Sequence, residues 1–180
     1  GTSSPRRKAQ IKILRPDLNT ISVRGNIATR IKKLHDNHFD GLIIAKAAME
    51  RLNLSFKNTY EFSYQEMLPA ASQGFIGIEC ISSNINLIKI LDSINSVKDM
   101  VLAEAERSFV AQLNGSCLSP IAIYCREEST HVLISAKALS QNGDKQIFKE
   151  IISSYTSINE DIQSLAKEFI SKGADKLILS

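Results

Sequence analysis

The sequence has no tryptophan, and aromatic residues make up only 6% of it. Sites for single-stranded nucleic acid interleave stacking rings with basic side chains. The basic run Arg6-Arg7-Lys8, extended by Lys12 and Arg15, has few aromatic neighbours, and acidic residues are interspersed along the chain. The formal charge of +3 therefore reads as a solvated helix face, and nucleic acid is not expected as a partner. No apolar run approaches the ~20 residues of a membrane span, and no basic-then-apolar leader follows Gly1, so a soluble protein with no membrane partner is expected. Cysteine is scarce too. Cys80, Cys117 and Cys125 are an odd number without a Cys-x-x-Cys pair, which suits free thiols in a reducing compartment and makes the cytoplasm the expected location. The histidines His35, His38 and His131 have no cysteine or carboxylate partners at ligand spacing, so no metal site is expected.

What is present suffices for one ordinary core or two small ones: 180 residues, 43% of them hydrophobic. Ser4 before Pro5 reads as an N-cap followed by proline at the first helical position, opening a helix to about Leu14. Alternation predicts a strand over Asn19 to Arg24, Asn26 caps a helix to Leu34 or His35, Phe39 to Ala45 reads as a buried strand, and a helix follows from about Ala47 to Leu52. This βαβα order predicts a parallel or mostly parallel sheet, with one strand expected ahead of Gly1. Tyr60 to Met67 and Phe75 to Ile81 read as strands around the loop Pro69 to Gly74. Ser96, with Asp99 three residues on, caps a long helix from Val97 to Asn114 whose Leu102, Ala105, Phe109 and Leu113 share a core face. The last part reads as a small α+β unit. Its strands run from about Pro120 to Cys125, His131 to Leu139 and Lys145 to Tyr155, with Asn142-Gly143 as a type I′ hairpin signal. A helix from Asn159, stopped at Gly173, and an edge strand from Lys176 to Leu179 complete it.

Two features carry chemistry. Thr2-Ser3-Ser4 precedes a helix N-terminus, where unpaired N–H groups and a partial positive charge favour an anion; Arg6 and Arg7 extend the site, and Arg24 and Arg30 fall near the same sheet edge. Guanidinium forks suit carboxylates, so several together imply a polyanion, although any one of them alone also fits a surface ion pair. Cys117, in Gly115-Ser116-Cys117-Leu118-Ser119-Pro120, sits on a turn between a glycine able to take a positive φ and a proline unable to continue a helix. Such a thiol can carry a group, or can serve as a small buried hydrophobe at a helix end.

Four motifs in order decide between these. Gly1-Thr2-Ser3-Ser4-Pro5-Arg6-Arg7, Arg24-Gly25-Asn26-Ile27-Ala28-Thr29-Arg30, Leu68-Pro69-Ala70-Ala71-Ser72-Gln73-Gly74-Phe75-Ile76-Gly77-Ile78-Glu79, and Glu106-Arg107 through Phe109, Leu113, Gly115 and Cys117 to Pro120 resemble the successive motifs of the porphobilinogen deaminase (hydroxymethylbilane synthase) family. The resemblance covers essentially the whole chain, which looks like the C-terminal part of that enzyme. It implies a partial periplasmic-binding-protein-like α/β domain (residues 1–67), a segment returning to the first domain (68–95), and a C-terminal α+β domain with a three-stranded antiparallel sheet (96–180). It implies a dipyrromethane cofactor bound through a thioether to Cys117, and porphobilinogen as substrate. Four units are condensed head to tail with loss of ammonia, and hydrolysis releases hydroxymethylbilane.

By the same resemblance, Thr2, Ser3, Ser4, Arg6, Arg7, Arg24 and Arg30 hold the cofactor, and Arg24, Arg30, Arg51 and Gln73 hold substrate. The family's catalytic aspartate lies upstream of Gly1, and Asp17, Asp36 and Asp40 do not match it, so these residues alone are expected to be inactive. The full-length enzyme is expected to be a monomer. Departures are Ser116 for glycine, Ser119 for an apolar residue, and Ala48 for glycine, with Lys46 beside it ahead of Arg51. The alternative function is a noncatalytic carboxylate-binding module, which has no use for an attachment cysteine.

Overall fold

A computed structural model describes residues 1–180. Its main hydrophobic cluster lies in the C-terminal half, between Leu102 and Ile178, while Ala9, Ile11, Val23, Phe39 and Leu68 are buried outside it. Helix α5 (Val97–Gln112) and helix α6 (Ile158–Ser171) pack together on one face of a three-stranded antiparallel sheet of order β1-β2-β3. The strands are β1 (Ile121–Glu128), β2 (His131–Leu139) and β3 (Gln146–Ser153). Period-two alternation sends Ile121, Ile123 and Cys125 into the core, and the register opposes Cys125 to Ile134 and Ile134 to Ile151. In α6 the spacing of Ile158, Ile162, Leu165, Ala166 and Phe169 makes one buried stripe, and Phe169 meets Phe109 of α5 edge to face with centroids 5.1 Å apart.

The predicted caps form. Ser4, Asn26 and Ser96 accept from the third helical N–H of α1 (Pro5–Leu14), α2 (Ile27–His35) and α5 respectively. Helix α3 covers Lys46–Arg51. Helix α4 (Ile85–Asp92), capped by Asn84, is an element the sequence pattern did not suggest.

Several expected strands do not form. Residues 19–24, 39–45, 60–67 and 75–81 are extended or turned but unladdered. Between the first two lie only Gly1 to Ser3: the Gly1 amino group donates to Gly41 O (2.7 Å), Ile43 N–H to Gly1 O (3.2 Å) and Thr2 N–H to Ile21 O (2.9 Å). That is a parallel arrangement too short to propagate, because a strand needs a neighbour of its own length. The segment 75–81 has no strand partner at all, and Ile76 is 87% exposed.

Near the C-terminus the expected edge strand is instead a helical turn, α7 (Ala174–Leu177), which lets Ala174 and Ile178 reach the core. The β2–β3 connection is a six-residue loop, residues 140–145, in which only Gly143 has positive φ, so the two-residue type I′ turn is replaced. A Cβ on Gly143 would lie 2.4 Å from the carbonyl oxygen of Ala9, so this loop rests directly on α1. No helix is long and apolar enough to cross a membrane.

Candidate functional site

Helix α1 presents its N-terminus in an arginine-rich setting. Ser4 caps it, and the N–H of Arg6 has no partner within the chain. Thr2 Oγ1 accepts from Ser4 N–H, and Ser3 Oγ donates to Val23 O at 2.6 Å, so Thr2 and Ser4 keep a hydroxyl proton to give while that of Ser3 is engaged. Arg6 is buried, contrary to a solvated helix face, and Nη1 donates to Leu68 O. Burial, and then the charge of Arg7, pushes its guanidinium down to about 10. Arg7 is half-buried, donates to Ile43 O at 3.1 Å, and is lowered by burial first and by Arg30 second. Arg30 in α2 donates Nε to Gly25 O at 2.8 Å.

Thus α1 and α2 gather Arg6, Arg7 and Arg30. None of the three pairs with a carboxylate, whereas Arg15 and Arg126 pair with Asp17 and Glu128. A buried cation without a counter-ion is costly. The arrangement is a cluster of cations that no carboxylate of the chain neutralises. Arg24 and Arg51 are exposed with no side-chain partner. The aspartates Asp17 and Asp36 are committed to Arg15 and Lys32.

Gln73 lies exposed on the loop 69–74, which the protein holds from three sides. Gln10 of α1 clamps Leu68 through both amide atoms, donating to its carbonyl (3.0 Å) and accepting from its N–H (2.9 Å). Ile123 N–H of β1 donates to Pro69 O at 3.2 Å. Buried Glu106 of α5 accepts from Ser72 N–H at 2.6 Å. Its second oxygen accepts from Cys125 N–H at 2.8 Å, and burial outweighs both bonds to push the carboxyl up to about 7. Sequence reading gave Glu106 no role. The signal was an acid sharing the apolar face of Leu102, Ala105 and Phe109.

Cys117 is exposed, Cys80 half-buried and Cys125 buried, its thiol pushed up by burial and by Glu106. The Cys117 turn is internally bonded: Ser116 N–H donates to Ser119 Oγ (3.0 Å), Leu118 N–H to Ser116 Oγ (3.2 Å) and Ser119 N–H to Ser116 O (3.0 Å). The left-handed residue there is Asn114 (φ 54), not Gly115. A Cβ on Gly115 would stand 2.4 Å from Ile121 Cδ1, the movable end of that side chain, and 3.2 Å from the carbonyl oxygen of Val110, so the turn packs closely on β1 and α5. No hydrogen bond joins this turn to the arginine cluster, so the two are separate features of the structure.

A family model described as "Porphobilinogen deaminase, dipyromethane cofactor binding domain" matches residues 1–89, and one described as "Porphobilinogen deaminase, C-terminal domain" matches residues 100–171. The chain belongs to the porphobilinogen deaminase family. Proteins named porphobilinogen deaminase from Campylobacter hominis, Campylobacter jejuni (strain 81-176) and Campylobacter curvus are 41%, 40% and 36% identical to it over 99% of the chain. The chain spans 58% of the length of each. Within the family match, the arginine cluster and the Gln73 loop fall in the segment matching the cofactor-binding domain, and Cys117 in that matching the C-terminal domain.

Proposed function

We propose that the chain is the anchoring and carboxylate-binding part of a hydroxymethylbilane synthase, a transferase of tetrapyrrole (haem) biosynthesis. The observation that carries this reading is the arginine cluster without carboxylates, Arg6 and Arg7 in the first turn of α1 and Arg30 within reach of the charge of Arg7. Porphobilinogen bears an acetate and a propionate, and each added unit brings two more carboxylates. Charge-assisted bonds to a guanidinium contribute about 1.5–3 kcal/mol each.

The residues present fit a dipyrromethane: a solvent-exposed thiol for the thioether and cations lacking counter-ions for its acid side chains. When bound, it supplies the pyrrole end to which four porphobilinogen units are joined with release of ammonia before hydroxymethylbilane is freed by water. In this reading Cys117 holds it covalently. Arg6, Arg7, Arg24 and Arg30, with Thr2, Ser3 and Ser4, bind and orient carboxylates, and Arg51 and Gln73 contact substrate. Residues 1–67 are part of a periplasmic-binding-protein-like lobe, 68–95 return to the first domain, and 96–180 form the C-terminal domain. The exposed isoleucines of 75–94 agree with that division, since they lack a covering sheet. The full-length protein is read as a cytoplasmic monomer that uses no nucleic acid.

Expressed with the upstream residues that its relatives carry, the protein should show the dipyrromethane mass on the Cys117 peptide. The 180-residue chain alone should release no hydroxymethylbilane. An adduct on Cys80 or Cys125, or activity retained after Cys117→Ala, would overturn the assignment. Sustained turnover by the isolated chain would refute the placement of the catalytic acid upstream.

A further inference from the structure

The carboxyl of Glu106 does something a core glutamate rarely does: it replaces a missing strand. Strand β1 is an edge of the sheet, and its outward N–H groups need acceptors. Ile123 N–H finds Pro69 O, and two residues on, Cys125 N–H finds Glu106 Oε1. The other oxygen, Oε2, takes the N–H of Ser72. One carboxylate thus joins α5, β1 and the loop.

Ser72 is itself held in an unusual state. Its φ is +57, a left-handed conformation that an L residue keeps only where its surroundings impose it. Two bonds impose it from the same helix, Ser72 N–H to Glu106 and Ser72 Oγ to Ala103 O at 3.1 Å. Flanking residues Ala71 and Phe75 pack on the core, so the loop is fixed on both sides while Gln73, at its apex, is left exposed.

We propose that Glu106 is the positioning residue for Gln73, fixing through Ser72 and Cys125 the loop that presents the Gln73 amide to the pyrrole ligand. This rests on the function proposed above. Glu106 touches no ligand and acts only through the loop. Tyr124 and Cys125 on β1 are the titratable groups that feel its charge, and no cation offsets it.

The test is residue-resolved amide exchange on the 180-residue chain and its Glu106→Gln variant. Glutamine keeps one acceptor oxygen but turns an NH2 toward the second N–H, so one bond is lost. Ser72 and Gln73 should exchange about ten- to a hundredfold faster, with Leu165 in α6 unchanged as the reference for global stability. Unchanged exchange at Ser72 and Gln73 overturns the proposal. Should the variant not fold, the wild-type chain decides: the Ser72 and Cys125 amide resonances should titrate together with one midpoint near neutrality, and independent or absent titration overturns it.

The ligand arm measures porphobilinogen affinity in wild type, Gln73→Ala, Glu106→Gln and the double variant. Losses that do not add support positioning. An affinity lowered by Gln73→Ala but untouched by Glu106→Gln defeats it. Wild-type chain that binds no porphobilinogen counts against the proposed function alone, and the exchange rates at Ser72 and Gln73 then decide whether Glu106 fixes the loop.

Discussion

Replacing Arg6 with methionine separates a functional cation from a structural one. In the ligand-free chain burial lowers the guanidinium to about 10 from the ordinary arginine value, which at 1.36 kcal/mol per pH unit is a folding cost of roughly 3 kcal/mol. The sign follows from the direction of the shift. The proton is held less tightly in the folded state, so the cost is fully present at neutral pH and is relieved only as pH rises above about 10. Against it stands one charge-assisted bond to Leu68 O, contributing about 1.5–3 kcal/mol. Methionine fills similar volume, removes the desolvation cost and gives up that bond, so the two terms nearly cancel. Urea denaturation at neutral pH should therefore place Arg6→Met within about 1.5 kcal/mol of wild type, by the difference between those terms. Porphobilinogen affinity by titration calorimetry should meanwhile fall ten- to over a hundredfold, the equivalent of the lost anion bond. A variant destabilised by more than about 3 kcal/mol with unchanged affinity would refute the reasoning and make Arg6 a structural tie between α1 and Leu68.

Two further expectations concern stability. Because the Glu106 carboxyl is raised to about 7, its contribution is fully present below the unfolded carboxyl range and is lost as pH rises to neutrality; denaturation between pH ~4.5 and ~7 should show a fall of roughly 3 kcal/mol that Glu106→Gln flattens, and parallel curves would exclude it. Gly143→Ala forces a left-handed alanine against the backbone oxygen of Ala9 and should cost more than about 1 kcal/mol. Gly115→Ala needs no positive φ and meets the flexible tip of Ile121, with the carbonyl oxygen of Val110 no closer than 3.2 Å, so it should cost less, and an inverted order in thermal melts would contradict the packing.

Local chemistry was legible without coordinates. Ser4-Pro5, Asn26 and Ser96 each announced a helix start because a short polar side chain satisfies a free N–H within three residues. The stripe in α6 and its stop at Gly173 are equally local, and the three antiparallel strands follow from alternation and hairpin proximity. The same alternation misled at 19–24, 39–45, 60–67 and 75–81, because a strand exists only where a neighbour of adequate length pairs with it. Lys176 to Leu179 has strand-like composition, yet docking Ala174 and Ile178 on the core makes it helical.

The candidate site divides along the same line. The order and spacing of four motifs were enough to name the candidate arginines, Gln73 and Cys117 and to point to a family, since motif identity is a property of the chain. Tertiary structure alone decided that Arg6 is buried, that Arg7 and Arg30 share a field with no carboxylate to answer it, and that Glu106 ties a left-handed Ser72 to the edge of β1. These are facts about desolvation and about contacts between residues 34 and 19 positions apart along the chain, and no local pattern encodes either.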